Sequence, residues 1–287
     1  MTDNSDHREW DMEITASSSL LDLKLRDVWQ YRDLLYLLVR RDVVSFYKQT
    51  VLGPVWFFAQ PIITIIFYSF IGNLAGISTG GVPRPLFYLA GTIIWNYFAD
   101  CLTKTSTVFK DNSGLLGKVY FPRLIMPLSL IASNLIRFTV QLILFVILLV
   151  FYSFKSGHIT LNIYALMFPI LVLIIAAQGL GIGMLISSVT TKYRDLAFVV
   201  SFGVPLLVYT TTILFPLSEV YTKYPAYSWV VEYNPVTAII EFFRYGFLGE
   251  GTNDWWLLAY SVAFTLVVAF AGIIVFNRVE RNFVDTV

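Results

Sequence analysis

Cysteine is nearly absent from the chain, with Cys101 the single one in 287 residues. One thiol excludes an intrachain disulfide, and a small buried apolar side chain is the simplest use for it. Histidine is almost as scarce. His7 lies in a polar tail and His158 in a short loop, so neither pairs with a nucleophile or a second metal ligand. No HExxH, CxxC or GxSxG occurs. Gly114-Leu115-Leu116-Gly117-Lys118 has a superficial likeness to a phosphate loop, but the glycine spacing is wrong and Val119 stands where a magnesium-holding Ser or Thr belongs. Charge is sparse as well: 14% of residues, against roughly a quarter in soluble globular chains. The net charge of +1 points to neither nucleic acid nor an acidic substrate.

What fills the space is apolar. Hydrophobic residues make up 57% of the chain and aromatics 17%. Six stretches have the roughly 20 apolar residues that a bilayer-spanning helix needs: Leu52–Leu74, Pro85–Val108, Leu124–Phe154, Ile163–Val189, Leu196–Phe215 and Trp255–Phe276. The third is too long for one straight crossing and is expected to begin in the cytoplasm or to tilt. Met1–Ser19 is polar and acidic, without the basic region and short apolar core of a signal peptide, so insertion is expected to use the internal segments.

Lysine and arginine set the orientation. With a cytoplasmic N-terminus, the inside segments hold Arg8, Lys24, Arg40, Arg41, Lys48, Lys110, Lys118, Arg123, Lys192, Arg194, Arg278 and Arg281, among others. The outside segments hold only Arg84, Lys155, Lys223 and Arg244. This bias places both termini in the cytoplasm. The expected fold is thus all-α and integral to the membrane. A polar tail covers residues 1–19, an amphipathic region 20–50, and a six-helix transmembrane domain 51–287.

Within residues 20–50, Leu34, Leu35, Leu38 and Val39 recur at helical spacing beside Arg32, Asp33, Arg40, Arg41 and Asp42. The pattern predicts an amphipathic helix along the cytoplasmic membrane surface, the alternative being a helix packed in a small cytoplasmic domain. The outer segment 216–254 is not a polar loop. Aromatics from Tyr221 to Tyr233 precede Asn234-Pro235, and an apolar run containing Glu241 and Arg244 follows. Two pieces too short to cross separately read as a re-entrant hairpin or as a pair of surface helices.

Charges inside spans are costly and therefore informative. Asp100 and Lys104 stand four apart in the second span, the favourable order for a helical pair, and Arg137 sits in the third. A structural charge cluster is the simpler expectation, and substrate contact the sharper one. Gly179 and Gly183 form a GxxxG suited to close helix packing. The cytoplasmic segment 110–123 combines Lys110, Lys118 and Arg123 with exposed-looking Leu115, Leu116, Val119, Tyr120 and Phe121. An apolar knob ringed by charge suits a docking groove on a partner; aromatics resting at the headgroups are the alternative.

Several of these segments together carry a resemblance: Arg40-Arg41-Asp42 with Tyr47-Lys48, Leu52-Gly53-Pro54-Val55-Trp56, Leu116-Gly117-Lys118-Val119-Tyr120-Phe121-Pro122-Arg123, Lys192-Tyr193-Arg194-Asp195-Leu196, and Asn234-Pro235 before Glu241-Phe242-Phe243-Arg244. From about Leu34 onward the chain resembles the permease subunit of type 2 ABC exporters of lipid-linked polysaccharide, the O-antigen, capsule and teichoic acid group. The resemblance implies two copies of this chain with two copies of a separate ATPase, in a bacterial inner (plasma) membrane. It implies that residues 116–123 and Lys192, Tyr193, Arg194 and Asp195 contact that ATPase, which holds ATP and magnesium, so that this chain carries no cofactor or metal of its own.

The substrate so implied is a glycan on an undecaprenyl-type carrier. Aromatic rings suit a variable glycan because sugars stack on them without a fixed hydrogen-bond code. Trp56, Phe57, Tyr68, Trp95, Tyr97 and Tyr209 are the path candidates, with helix packing or an interface belt as the alternative for each. Arg40, Arg41 and Lys48 are the candidates to receive the lipid pyrophosphate, and anionic-lipid anchoring explains them equally well. An exporter of a drug, lipid or other small amphiphile is the nearest alternative. A membrane-bound glycan-modifying enzyme would need convergent acids or histidines, and none converge.

Overall fold

Prolines and caps divide the apolar chain into helices. A computed structural model describes residues 25–48, 53–116, 121–156, 161–193 and 195–283. Two N-terminal helices come first, α1 (Leu25–Gln30) and α2 (Arg32–Lys48). They precede α3 (Trp56–Leu74) and α4 (Arg84–Ser106), the latter opened by Pro85 in its first turn. Short helices α5 (Val108–Asp111) and α6 (Ser113–Leu116) lead to α7 (Ile125–Ser156) and α8 (Phe168–Thr190). Then follow α9 (Leu196–Leu207), α10 (Leu217–Lys223), α11 (Ser228–Glu232), α12 (Pro235–Leu248) and α13 (Trp255–Phe283).

Among the described residues, four helical segments are long and apolar enough to cross a membrane: Trp56–Leu74, Ile125–Lys155, Ile163–Thr190 and Trp255–Val279. The α7 helix, at 32 residues, is about 48 Å long, well beyond a hydrocarbon core of about 30 Å. The 23-residue α4 falls outside the group on composition, and its setting explains why. It packs against α3, α7, α8, α9 and α12, and most of its side chains are buried. A helix surrounded by protein rather than lipid can carry Asp100, Lys104 and several threonines.

The expected fifth span, Leu196–Phe215, is helical only in part. Pro205 removes one backbone donor, α9 ends at Leu207, a 3-10 turn covers Val208–Thr210, and Thr211 is extended. At about 18 Å the regular helix is too short for a straight crossing.

Among the described residues two large cores hold the bundle, beside a small cluster of Leu217, Ala238 and Leu257. The larger surrounds α4 and includes Phe138, Phe145, Ile175, Ile239 and Phe243. Helices α8 and α4 approach closely because Gly179 lies against Cys101 and Phe98, and Gly183 against Thr105. Between these two glycines, Gly181 faces the other way, onto the backbone of Ala269 in α13. Cys101 is fully buried.

The second core joins Leu38 of α2 to Val108, Phe109, Phe121, Ile125, Met184 and Phe276, with Phe109 and Phe276 stacked at 4.7 Å. The amphipathic α2 is therefore docked on the bundle along one face, while Tyr36 and Leu37 on α2, and Trp29 on α1, stay exposed.

Candidate functional site

The intramembrane charges form a cross-helix network on the side of the bundle where α2 packs. Arg137 of α7 donates to Asp100 of α4 at 2.8 Å and to Gln60 of α3 at 2.6 Å. Lys104 donates to Asn134 of α7 at 2.6 Å and lies in the fields of Asp100, Arg137 and Asp42. Ser133 donates to Asp42 of α2 at 3.5 Å, and Arg41 pairs with the same carboxylate at 2.8 Å. Four elements are thus tied by polar contacts that each neutralise or satisfy a costly group. Asp100 meets its arginine across the helix interface, and its charge also acts on Lys104, one turn along its own helix. Gln60 and Asn134 were not singled out from sequence, although a lone amide in an apolar run is the signal that would have found them.

On α2, Arg40, Arg41 and Lys48 are all exposed, with Arg41 engaged by Asp42. Arg41 and Lys48 stand seven apart, on one helical face. Of the docking segment, Gly117, Lys118, Val119 and Tyr120 lie outside the described residues, as does Arg194, and Leu116 ends α6. Pro122 and Arg123 are half-buried. Phe121 corrects the exposed-knob expectation: it is 4% exposed and sits in the second core, where its ring contributes packing. Tyr193 is 51% exposed, with the Lys192 ammonium 5.3 Å from its ring centroid, and Asp195 beside them is exposed.

The six aromatic path candidates separate into two groups. Trp56 and Tyr209 are open, Phe57 is half-buried, and Tyr68 packs its edge on Tyr88 at 5.9 Å. Trp95 and Tyr97 are core residues, tilted against Phe98 at 5.4 Å and Phe138 at 5.1 Å. They offer no open surface in this chain, because α4 is enclosed by its neighbours.

Segment 216–254 is built around an arginine that sequence reading left without a role. Arg244 is 1% exposed and lies against Glu241 at 3.4 Å, with its guanidinium 3.6 Å from the Phe87 ring centroid. It donates to the carbonyls of Thr212 at 2.6 Å, Ile213 at 3.2 Å and Phe87 at 3.1 Å. Thr212 and Ile213 belong to the non-helical end after α9. The same end is held by Asn234, which donates to Thr210 O at 3.1 Å while its own oxygen caps α12 by accepting from Val236 N. Backbone carbonyls freed where the helix unwinds are thus met by side chains, as an apolar surrounding requires. The Asn-Pro pair is the start of α12, with Asn as cap and Pro235 in the first turn, and Gly249 ends it at φ 72°.

Beyond this clamp, Tyr221 on α10, Trp229 on α11, Tyr224 and Tyr227 in the turn between them, and Tyr233 just after α11 are exposed. Burial and the neighbouring Glu232 carboxylate push the Tyr221 phenol up to about 12, so it stays a neutral hydrogen-bond donor at physiological pH. Among the described residues no group of three or more His, Cys, Asp or Glu is placed to hold a metal ion.

Helices long and apolar enough to cross a membrane, with their charges satisfied across helix interfaces, are the features of a multi-pass membrane protein. The chain belongs to the ABC-2 type transporter family, which matches residues 33–248. It is 26% identical over 265 residues to the O-antigen export system permease protein RfbA of Myxococcus xanthus, covering 92% of this chain and 98% of that one. A Klebsiella pneumoniae protein of the same description is 27% identical over 255 residues, 88% of this chain and 94% of its own. The Polysialic acid transport protein KpsM of Escherichia coli is 24% identical over 249 residues, 84% and 91%.

Proposed function

We propose that this chain is the membrane subunit of an ATP-driven exporter that moves an undecaprenyl-linked polysaccharide from the cytoplasm to the outer face of a bacterial inner membrane. The observation that carries this reading is similarity spread over nearly the whole chain to permeases named for O-antigen and polysialic acid export. Two copies form the channel, each with six crossings and both termini in the cytoplasm. In this reading α4 is the second crossing, α9 with its unwound end the fifth, and the outer hairpin dips back toward the bilayer.

Chemistry supports the division of labour. The cargo has a pyrophosphate that resists the apolar core and sugars with apolar C–H faces. Exposed Arg40 and Lys48 on α2 are positioned to receive the anion at the cytoplasmic surface. Apolar side chains open on α3 (Ile63, Phe67, Phe70) and α9 (Phe198, Phe202) leave a face for the second copy. Trp56 and Tyr209 are the open rings beside that face. Movement begins at a separate ATPase that grips the segment 116–123 around the buried Phe121, together with Lys192, Tyr193, Arg194 and Asp195.

The test is co-purification of the full chain with its ATPase, comparing wild type with a Lys192→Glu, Tyr193→Ala double variant. Phe121 is left intact, because its truncation would open the second core and confuse lost docking with lost folding. Retention by the wild type and loss by the variant are expected. An ATPase that binds neither form, with both monodisperse, sinks the reading.

A further inference from the structure

We propose that the outer hairpin carries a carbohydrate subsite, a cleft of about 160 Å³ that takes one pyranose ring of a glycan. Its choice of glycan rests on the exporter reading; its geometry does not. Tyr209 enters the cleft from the 3-10 turn after α9 and Phe215 from the segment beyond it, Tyr224 and Tyr227 from the turn after α10, and Glu219 and Lys223 from α10 itself, with Val220 and Val231 completing the wall.

The lining chooses the ligand. Tyr209, Tyr224 and Tyr227 are 63%, 58% and 69% exposed, so their rings are not occupied in packing this chain. Rings in an interface belt point outward one by one, whereas these converge on one concavity that also holds an ion pair. The Glu219 carboxylate accepts from Lys223 Nζ at 3.2 Å and from Ser78 N at 2.7 Å, which fixes it to the α3–α4 connection. An acyl chain in the cleft would strip water from that pair and return no hydrogen bond. A metal ion would find one carboxylate already neutralised, and an anion one lysine already neutralised. A sugar satisfies both halves of the wall. Its hydroxyls bond to the carboxylate and ammonium, and its C–H face lies on the tyrosine rings. The volume suits one ring, so the cleft would grip a polymer a residue at a time.

Saturation-transfer NMR on the full chain in lipid nanodiscs tests this, since the headgroup of a glycoside detergent would itself compete. The probes are methyl mannopyranoside, methyl rhamnopyranoside, N-acetylglucosamine and, as the apolar control, decanoate. Ring protons of at least one sugar should be saturated, with Kd on the order of 1 mM. Tyr224→Ala with Tyr227→Ala should weaken binding at least about tenfold. Tyr224→Phe with Tyr227→Phe should retain most of it, because the rings remain, and monodispersity on gel filtration checks the fold of each variant. Transfer to decanoate alone, transfer to none of the sugars, or equal sugar transfer in the double alanine variant overturns the subsite. Sugar transfer by a chain that binds no ATPase would leave the subsite standing and the exporter reading lost; ATPase binding without sugar transfer would do the reverse.

Discussion

The guanidinium of Arg244 lies 3.6 Å from the centroid of the Phe87 ring and joins the first turn of α4 to the unwound end of α9. A fully buried cation here does structural work that a hydrophobic residue could not, because two of its acceptors are carbonyls released by the break after Leu207. Arg244→Met is expected to destabilise the protein by about 3–5 kcal/mol, since it strands both those carbonyls and the Glu241 carboxylate. Arg244→Lys keeps the charge but loses the planar fork and the ring stacking, so a smaller loss of about 1–3 kcal/mol is expected. Thermal midpoints from fluorescence-detected gel filtration would order the series; a methionine variant as stable as wild type removes the clamp.

A second prediction concerns the network around Asp100. The Asp100–Arg137 pair is mostly shielded, with side chains 28% and 18% exposed. Asp100→Ala takes this carboxylate from Arg137 and leaves it the neutral Gln60 amide, and a loss of about 2–4 kcal/mol is expected. Removing both charges, as Asp100→Asn with Arg137→Gln, should recover a large part of that loss. If the double variant is as unstable as the sum of the singles, the two residues are not coupled.

How much of this was legible beforehand follows from what sequence patterns report. Apolar runs locate helices, so the third, fourth and sixth stretches emerged as α7, α8 and α13 with little change. The fifth did not, because hydropathy is blind to whether a run is regular: the stretch tightens into a 3-10 turn at Val208–Thr210 and is non-helical from Thr211 to Phe215, with Pro205 and the threonines at 210–212 as the local signals. Phe121 was read as exposed because a short loop between helices gives no sign of a second core beneath it. Trp95 and Tyr97 were path candidates on residue type alone, and burial of α4 from several sides is a tertiary fact. The charged residues within spans were conspicuous, but their partners, Gln60 and Asn134, lie on other helices far along the chain.

Glycine packing supplies a third prediction with an internal control. A methyl on Gly181 would sit 2.8 Å from the Ala269 nitrogen, a backbone atom that cannot turn aside. Gly181→Ala should therefore push α8 from α13 and cost about 1–3 kcal/mol. At Gly114 a methyl meets nothing within 4 Å, so Gly114→Ala should be neutral or mildly stabilising. Equal effects at the two sites would mean that the α8–α13 approach is looser than the backbone contacts indicate.

The final prediction exploits the scarcity of cysteine. Cys101 is fully buried, so the wild-type chain in intact cells should not react with a membrane-impermeant maleimide. Ser45 on α2 and Thr222 on α10 are exposed, and either can be replaced by cysteine without opening a core. Between them lie α3, α4, α7, α8 and α9, an odd number of crossings if all five traverse the bilayer. Thr222→Cys should then label from outside intact cells and Ser45→Cys only after the membrane is permeabilised. The short α9 makes the experiment decisive. With its unwound end secured by Arg244 and Asn234, the segment reaches from Leu196 to Phe215 and can span despite a regular helix of about 18 Å. If α9 instead turns back, only four crossings separate the two sites, and both cysteines will label from the same side.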